Sequence, residues 1–313
     1  MNIAPHCSIL IEWENALAAA DTRPGLVLRE LATQARETFT GETWAELLVM
    51  YDPQRVDETQ LRTLVDSSLS PSREILRWKL VPADELHYYA MKNLGVQHAL
   101  GEYILFLDSD VIPDPGWLSR ITEAMGTSDH QVVASSAYVD TDGFLNQVMA
   151  LIWVFDPLPL SDKLIRVDRF RANSVAIRRS LLQKFPFPEI PGRSRGSEFL
   201  LAMELHRAGI VMRQHLGARV RHPRPLGREL LTKAIAEGRD RQFNGMRHGA
   251  MYFSLKRFLR GTNRIFVFRK RVGLPVWQIP PALVMNAVYY FFNFVGAAAA
   301  VVAPGYMKRH FLP

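Results

Sequence analysis

Two aspartates one residue apart, Asp108 and Asp110, follow the apolar run Tyr103 to Leu107. The run predicts a buried strand, and a bare carboxylate at the end of such a strand costs several kcal/mol or more. Hard divalent cations such as Mg²⁺ bind carboxylate oxygens and neutralise this charge. The pair therefore predicts a Mg²⁺ or Mn²⁺ site that also receives a diphosphate. Taken alone, Asp-x-Asp also occurs as a simple turn cap.

The bulk composition excludes disordered and fibrous classes. The 313 residues are 48% hydrophobic and 22% charged, which is enough for one large domain and an appendage. The single cysteine, Cys7, excludes an intrachain disulfide framework and fits a reducing compartment. The first residues lack a basic region followed by a long apolar region, so we expect no secretory signal and a cytoplasmic folded part.

The charge is unevenly distributed along the chain. No Asp or Glu follows Asp240, whereas eleven Lys and Arg do. The formal net charge of +7 therefore combines a mildly acidic part of about −4, residues 1–240, with a strongly basic tail. Such a tail predicts an anionic partner, either a membrane or a nucleic acid.

The hydrophobicity of the tail favours the membrane. No charged residue occurs from Val272 to Met307, and residues 281–303 match the roughly 20 residues that cross a bilayer as a helix. Basic and aromatic residues alternate just before this run. We therefore expect an anionic membrane partner through residues 253–303, with no nucleic acid bound. A buried core helix is the alternative, and a spanning, re-entrant or in-plane helix stays open. If the helix spans the membrane, the heavier basic cluster before the run predicts that residues 1–271 lie on the cytoplasmic face.

Strand and helix patterns alternate through the first half. The predicted strands are 7–13, 46–52, 75–81, 103–108 and 131–139, and the predicted helices are 24–39, 57–68, 83–100 and 196–209. Residues 171–185 indicate a strand or turn leading into a helix, and Gly101 and Gly209 are predicted C-terminal caps. The alternation predicts an open, mostly parallel α/β sheet flanked by helices, with ligands at the carboxyl ends of its strands.

Residues 90–118, AMKNLGVQHALGEYILFLDSDVIPDPGWL, resemble the core signature of family 2 glycosyltransferases of GT-A fold. In that family a basic residue and Asn precede a Gly, then a Gly-Glu-Tyr, an apolar strand and the DxD motif. The matching positions are Lys92, Asn93, Gly95, Gly101, Glu102, Tyr103, Asp108 and Asp110. The resemblance covers roughly residues 7–225, which gives a catalytic domain 1–225, basic amphipathic interface helices 226–271, and an apolar transmembrane or re-entrant helix with a short tail 272–313.

The resemblance implies a nucleotide-sugar site. The first strand of the family ends near a Tyr-Asn that borders the base, and here Glu14 and Asn15 stand there. Glu12 replaces a small polar residue or Pro. Asp52 keeps the position implied to bind the base, and Lys92 matches a basic residue near the base and ribose. The donor would be UDP- or GDP-linked.

The resemblance also implies the catalytic roles. Asp110 would ligate the metal directly, and Asp108 would reach the ribose, or the metal through water. His222 stands where many relatives place a histidine near the metal and diphosphate. The stretch GSEFLL resembles the Gly-Glu-Asp-x-x-Leu helix start, so that Glu198 takes the place of the catalytic base and Ser197 replaces the preceding Glu. One base without a covalent intermediate implies inversion at the anomeric carbon.

Each residue also has a purely structural interpretation. Glu198 could be an acidic residue in the first turn of a helix, His222 a surface histidine, and Trp153 and Phe155 core residues rather than an acceptor path. Arg193 and Arg195 either contact an acceptor phosphate or face water. Arg239 to Gly245, RDRQFNG, is not the QxxRW pattern of processive synthases, so we expect one addition per encounter.

The chain is therefore expected to be a metal-dependent inverting glycosyltransferase that acts on a glycan or lipid-linked acceptor of the cell envelope. A nucleotidyltransferase is the first alternative, although ENALAAADTRPG lacks the Gly-rich basic phosphate loop expected after the first strand. A catalytically lapsed membrane-bound scaffold is the second.

Overall fold

The computed structural model describes residues 5–18, 22–40, 42–127, 129–153, 155, 160–189, 196–223, 227–243 and 249–310. The chain divides into two compact units. Unit 1 comprises residues 1–137, 158–189 and 197–222, and unit 2 comprises residues 138–157, 190–196 and 223–313.

The strands are β1 (Cys7–Glu12), β2 (Ala45–Tyr51), β3 (Leu76–Pro82), β4 (Tyr103–Leu107), β5 (Ile112–Pro113), β6 (Val132–Val139), β7 (Leu164–Val167), β8 (Ser174–Arg178) and β9 (Met212–His222). The helices of unit 1 are α1 (Arg23–Thr38), α2 (Glu58–Leu69), α3 (Tyr88–His98), α4 (Trp117–Gly126), α6 (Arg179–Lys184) and α7 (Ser197–Arg207). Those of unit 2 are α5 (Phe144–Ile152), α8 (Gly227–Phe243), α9 (Gly249–Phe268), α10 (Ile279–Val302) and α11 (Pro304–His310).

The described strands form one sheet in the order β3-β2-β1-β4-β8-β6-β9-β5, with β7 beside β9. Strands β3, β2, β1 and β4 are parallel, and every residue of β1, β2 and β4 is buried. Helices cover such strands on both faces, which explains their continuous apolar runs. The predicted α/β class is confirmed. Beyond β4 the described pairings are antiparallel, so the sheet is parallel in one half and antiparallel in the other.

Two details differ from the sequence prediction. The helix predicted from residue 83 begins at Tyr88, because Glu85 has a positive φ of 55° in the preceding turn. Gly101 was predicted as a helix cap, yet it does not have positive φ. Its Cβ would collide with the backbone of Cys7 and Ser8, so Gly101 allows a close crossing of β1. Gly209, with φ 76°, does follow α7 as a left-handed cap.

Strand β9 is absent from the sequence prediction. Its eleven residues, MRQHLGARVRH, include basic side chains throughout, which hides the alternation of a strand. His215 is nevertheless buried within it, and its Nδ1 accepts hydrogen bonds from the backbone N–H groups of Gly217 and Ala218, both at 3.1 Å. Burial lowers the pKa of His215, which fits a neutral acceptor.

The described secondary structure of unit 2 is helical apart from the end of β6. The predicted apolar segment forms α10, and residues Val276–Val302 are the one described helical stretch long and apolar enough to cross a membrane. Helix α10 packs between neighbours through its small residues. A Cβ on Gly238 of α8 or on Gly296 of α10 would collide with the backbone of the facing helix, so these two helices approach closely.

Candidate functional site

Asp108 lies directly after β4 at the carboxyl end of the parallel half of the sheet, and it is only 4% exposed. Lys92 Nζ of α3 lies 2.9 Å from its Oδ1. The Tyr88 hydroxyl donates to Oδ1 and Oδ2 at 2.7 and 2.8 Å, and Asn15 Nδ2 donates to Oδ2 at 3.2 Å. Burial raises the pKa of Asp108, Lys92 opposes this rise, and Asp110 adds to it. The carboxyl group of Asp108 is thus held in one orientation by three hydrogen-bond donors.

Glu12, the last residue of β1, is the second buried carboxylate of this cluster. It is 0% exposed. Its Oε1 accepts from Asn15 Nδ2 at 2.8 Å, and its Oε2 accepts from the Asn15 backbone N–H at 3.1 Å. Burial and the neighbouring Asp108 carboxylate raise the pKa of Glu12 well above its usual range, against the attraction of Lys92. Glu12 was predicted to contact the nucleotide; in this position it holds Asn15, which in turn contacts Asp108.

Glu198 lies in the first turn of α7, where the helix dipole favours a carboxylate. The Tyr89 hydroxyl of α3 donates a short hydrogen bond to its Oε2, and Arg171 NH1 lies 3.7 Å from its Oε1. Burial and the Glu198 charge raise the pKa of Tyr89 well above its usual range, so Tyr89 remains a donor. Glu198 is therefore a partly buried, oriented carboxylate.

Helix α3 connects the two carboxylates. Tyr88 and Tyr89 are consecutive, their rings meet edge to face with centroids 4.8 Å apart, and one donates to Asp108 while the other donates to Glu198. The predicted donor-site carboxylate and the predicted base, 90 residues apart in sequence, thus belong to one hydrogen-bonded cluster.

Asp110 and His222 lie at the same edge. Asp110 is half-buried in the turn between β4 and β5. Strand β5 pairs with β9 so that Ile112 faces Arg221, and the next step of this register brings His222 opposite Val111. Arg23 joins both segments, since it donates to the backbone carbonyl of Asp110 at 2.5 Å and to that of Arg221 at 3.0 Å.

Within the described ranges, no three His, Cys, Asp or Glu side chains form a group that could hold a metal ion. The donor chemistry nevertheless fits a cation bound by few protein ligands. A carboxylate of Asp110 and an imidazole of His222 suit Mg²⁺ or Mn²⁺ that takes its remaining ligands from water and a diphosphate. The two oxygens of Asp108 together accept hydrogen bonds from three donors, Asn15, Tyr88 and Lys92. We therefore expect Asp108 to contact a bound cation through a water molecule and not directly.

The remaining predicted nucleotide residues lie after β1 and β2. Asp52 follows β2, is mostly buried, and accepts from the Gln54 backbone N–H at 2.9 Å as a turn cap does. Glu14 lies 3.6 Å from the Arg55 guanidinium. Because the carboxyl ends of parallel strands share an edge, both stand at the same edge as Asp108.

The sequence prediction missed Tyr88, Tyr89, Arg171 and Arg23 as site residues. A signal existed for Tyr88, because Tyr88 and Lys92 are four residues apart and therefore lie on one face of a helix. Trp153 and Phe155 lie in unit 2, where the Trp153 indole donates to Glu237 at 3.1 Å. Arg193 and Arg195 lie outside the described residues.

Residues 67–186 match the model of the family described as glycosyl transferase family 2. No curated protein sequence matches the chain. Among solved structures, a mannosyltransferase from Pyrobaculum calidifontis in complex with GDP-Man and Mn²⁺ superposes with a TM-score of 0.57 at 14% identity, over 97% of this chain and 88% of its own. S. aureus TarS 1–349 in complex with UDP-GlcNAc superposes with a TM-score of 0.51 at 15% identity, over 94% and 90%.

GalNAc-T7 with UDP, GalNAc and Mn²⁺ superposes with a TM-score of 0.53 at 14% identity. The match covers 72% of this chain and only 44% of the GalNAc-T7 chain. At these identities the likeness concerns the fold, which is the GT-A arrangement of sheet and helices described above.

Proposed function

We propose that this chain, which has the GT-A fold and a segment that matches glycosyl transferase family 2, is a glycosyltransferase. It would move a sugar from a UDP- or GDP-linked donor to a glycan or lipid-linked acceptor, with inversion. The observation that carries the proposal is the single cluster formed by Asp108, Tyr88, Tyr89 and Glu198. This cluster connects Asp108, at a strand end suited to binding a cation and a diphosphate, to Glu198, an oriented carboxylate suited to accepting a proton.

The donor end comprises Asp110, His222 and Asp108, with Glu12, Glu14, Asp52 and Lys92 as the proposed surroundings of the nucleotide. Asp110 and His222 would hold a divalent cation, which supplies neutralisation of the charge that develops on the departing diphosphate. Asp108 carries its charge beside Lys92, where it is fixed by three hydrogen-bond donors. Two of the similar structures contain Mn²⁺, which supports the proposal that this chain uses a divalent cation.

The base end is Glu198. Its carboxylate would take the proton from the acceptor hydroxyl as that oxygen attacks the anomeric carbon and the bond from this carbon to the phosphate oxygen breaks. Tyr89 and Arg171 hold the carboxylate from two sides and restrict its rotation. Glu198 forms no bond to the sugar in this scheme, so a single displacement inverts the anomeric carbon.

The acceptor and location follow from the tail. We assign residues 1–225 to catalysis, residues 226–271 to basic interface helices, and residues 272–313 to the apolar segment. An apolar helix preceded by basic residues favours an anionic membrane at the cytoplasmic face, and a membrane-held enzyme meets a lipid-linked acceptor more often.

The test has two parts. Calorimetric titration with UDP and GDP, with and without Mn²⁺, should show nucleotide binding that depends on the metal, and a donor panel should then reveal slow sugar hydrolysis. Glu198→Gln should keep donor binding and lose about 10²- to 10⁴-fold in turnover. Glu204→Gln, an exposed position on the same helix, is the matched control. Absence of binding to either nucleotide supports the scaffold alternative, and normal turnover of Glu198→Gln removes Glu198 from the base role.

A further inference from the structure

Helix α10 has a buried polar face and an exposed apolar face. On the buried face, Asn286 Nδ2 donates to the Phe258 carbonyl and to the Thr262 hydroxyl, both at 3.0 Å. Seven residues later, Asn293 Nδ2 donates to the Ala234 carbonyl of α8 at 3.1 Å. These bonds bury both amides within unit 2 and fix the rotation of the helix about its axis.

The exposed face of α10 consists of large apolar side chains at helical spacing. Its members are Val284, Val288, Phe291, Phe294, Val295, Val301 and Val302. No charged residue interrupts residues 272–307. At 1.5 Å per residue the stripe is about 30 Å long, which is far more apolar surface than a solvated helix ordinarily presents.

Helix α9 lies antiparallel beside the middle of α10. Ser254 Oγ donates to Asn293 Oδ1 at 2.7 Å, while Thr262 and Phe258 contact Asn286. The part of α9 that lies beside the middle of α10 exposes both apolar and basic side chains. The exposed members are Tyr252, Leu255, Lys256, Leu259 and Arg260. By the 3.6-residue period, Leu255 and Leu259 point nearer to α10, and Lys256 and Arg260 lie on the side farther from it.

This placement decides between the possible orientations of α10. If α10 crossed a bilayer, its middle would lie at the membrane centre, and α9 would carry Lys256 and Arg260 there. A charged side chain at that depth is strongly unfavourable. If the helices lie in the plane of the membrane, their exposed apolar side chains contact the lipid acyl chains, and the long basic side chains reach the phosphates of the lipid headgroups.

We propose that α9 and α10 form a hairpin that lies in the plane of an anionic bilayer surface, with α10 embedded along its whole length and not spanning. This inference deepens the membrane association proposed above and rests on it. The occupant of the exposed apolar face is a lipid surface because basic residues flank the apolar stripes and no acidic residue follows Asp240. Beyond α9 this basic flank continues with Arg269, Lys270 and Arg271.

The depth of α10 along its axis tests the proposal. Single cysteines at Val284, Val288, Phe291, Val295 and Val302 would carry a fluorescent label, since the native Cys7 is fully buried and its thiol pKa is raised by burial. Vesicles of phosphatidylcholine and phosphatidylglycerol would contain lipids with quenchers at known depths. We expect the same shallow depth for all labels. A profile that is deepest at Phe291 and shallow at both ends indicates a spanning helix and overturns the proposal, as does the absence of quenching at every position.

The basic flank has its own test. Lys256→Gln combined with Arg260→Gln should weaken partitioning into the anionic vesicles by about tenfold or more. Arg36→Gln combined with Lys79→Gln changes two exposed basic residues of unit 1 and is the charge-matched control. Equal partitioning of the two double variants overturns the role of the basic flank. Neither measurement uses a sugar donor, so a failure here is distinct from a failure of the transferase activity.

Discussion

Each of the two units buries a carboxylate among tyrosine, amide and cationic groups, but their charge balance differs. In unit 2, Glu237 accepts from Trp153 and Tyr289 at 3.1 Å and from Arg241 at 3.2 Å. One carboxylate there faces one guanidinium. In unit 1, among the described residues, the buried carboxylates of Glu12 and Asp108 share one buried ammonium, that of Lys92.

This difference in charge balance distinguishes a buried carboxylate that stabilises the fold from buried carboxylates that we expect to bind a ligand. A balanced pair needs no further partner, and Arg241 extends it by donating to Asn293 Oδ1 at 2.7 Å, so the cluster joins α8 to α10. Burial, together with the excess of negative charge, raises the pKa of Glu12 and of Asp108, and binding of a cation would relieve this energetic cost. We therefore expect the unbalanced cluster, rather than the cluster around Glu237, to bind the ligand.

The largest expected effect comes from removing the cation of the unbalanced cluster. Lys92→Met leaves the buried carboxylates without their ammonium, and the free energy of unfolding should fall by about 3–5 kcal/mol. Urea denaturation measures this loss. Adding Glu12→Gln to Lys92→Met should restore part of the stability, because it removes one of the competing charges. If the two substitutions were simply additive, the cluster would not behave as one charge-coupled group.

In the balanced cluster a matched substitution should affect stability alone. Arg241→Met removes the donor to Glu237 and to Asn293, with an expected loss of about 1.5–3 kcal/mol in the free energy of unfolding. Metal-dependent nucleotide binding per folded molecule should stay unchanged. Loss of that binding in a folded Arg241→Met protein contradicts the division into a structural and a functional cluster.

The tyrosine pair of α3 allows a finer comparison within unit 1. Tyr89→Phe removes the donor to Glu198, so we expect kcat to fall about 10- to 100-fold with little change in donor KM. Tyr88→Phe removes a donor to Asp108, so its main effect should be a weaker affinity for the donor. Steady-state kinetics on both variants separate these outcomes. Equal changes in kcat and KM for the two variants argue for a general structural role instead.

The smallest expected effect concerns pH. The pKa of Glu12 is raised in the folded state, so above the unfolded pKa of about 4.3 the folded protein binds a proton that the unfolded chain has lost. The stability contributed by this group is complete below that pH and is lost as pH rises, by at most about 1.4 kcal/mol per unit. Metal-free Glu12→Gln should show a flatter stability curve above pH 4.3. Parallel curves for the two proteins contradict this.

Local patterns account for what the sequence predicted well. The buried strands β1, β2, β4 and the helices α1, α2 and α7 follow from apolar periodicity and capping residues, which depend on neighbours a few positions away. The Asp108 and Asp110 pair stood out for the same reason, since its unfavourable position is visible in five residues. Strand β9 was not predicted, because basic side chains mask its alternation. Residues 131–139 and 171–185 were predicted to contain strands, but their antiparallel pairing was not, because the partners are distant in sequence.

The sequence by itself determined the α/β class, the acidic strand end, the apolar tail and the division of charge along the chain, because these depend on composition and short-range spacing. Only the tertiary structure decided that Glu12 is enclosed behind Asn15, that two adjacent tyrosines join Asp108 to Glu198, and that α10 turns its asparagines inward. The physical reason is that burial and hydrogen-bond partnership arise from chain segments tens to hundreds of residues apart, whose contacts no local pattern encodes.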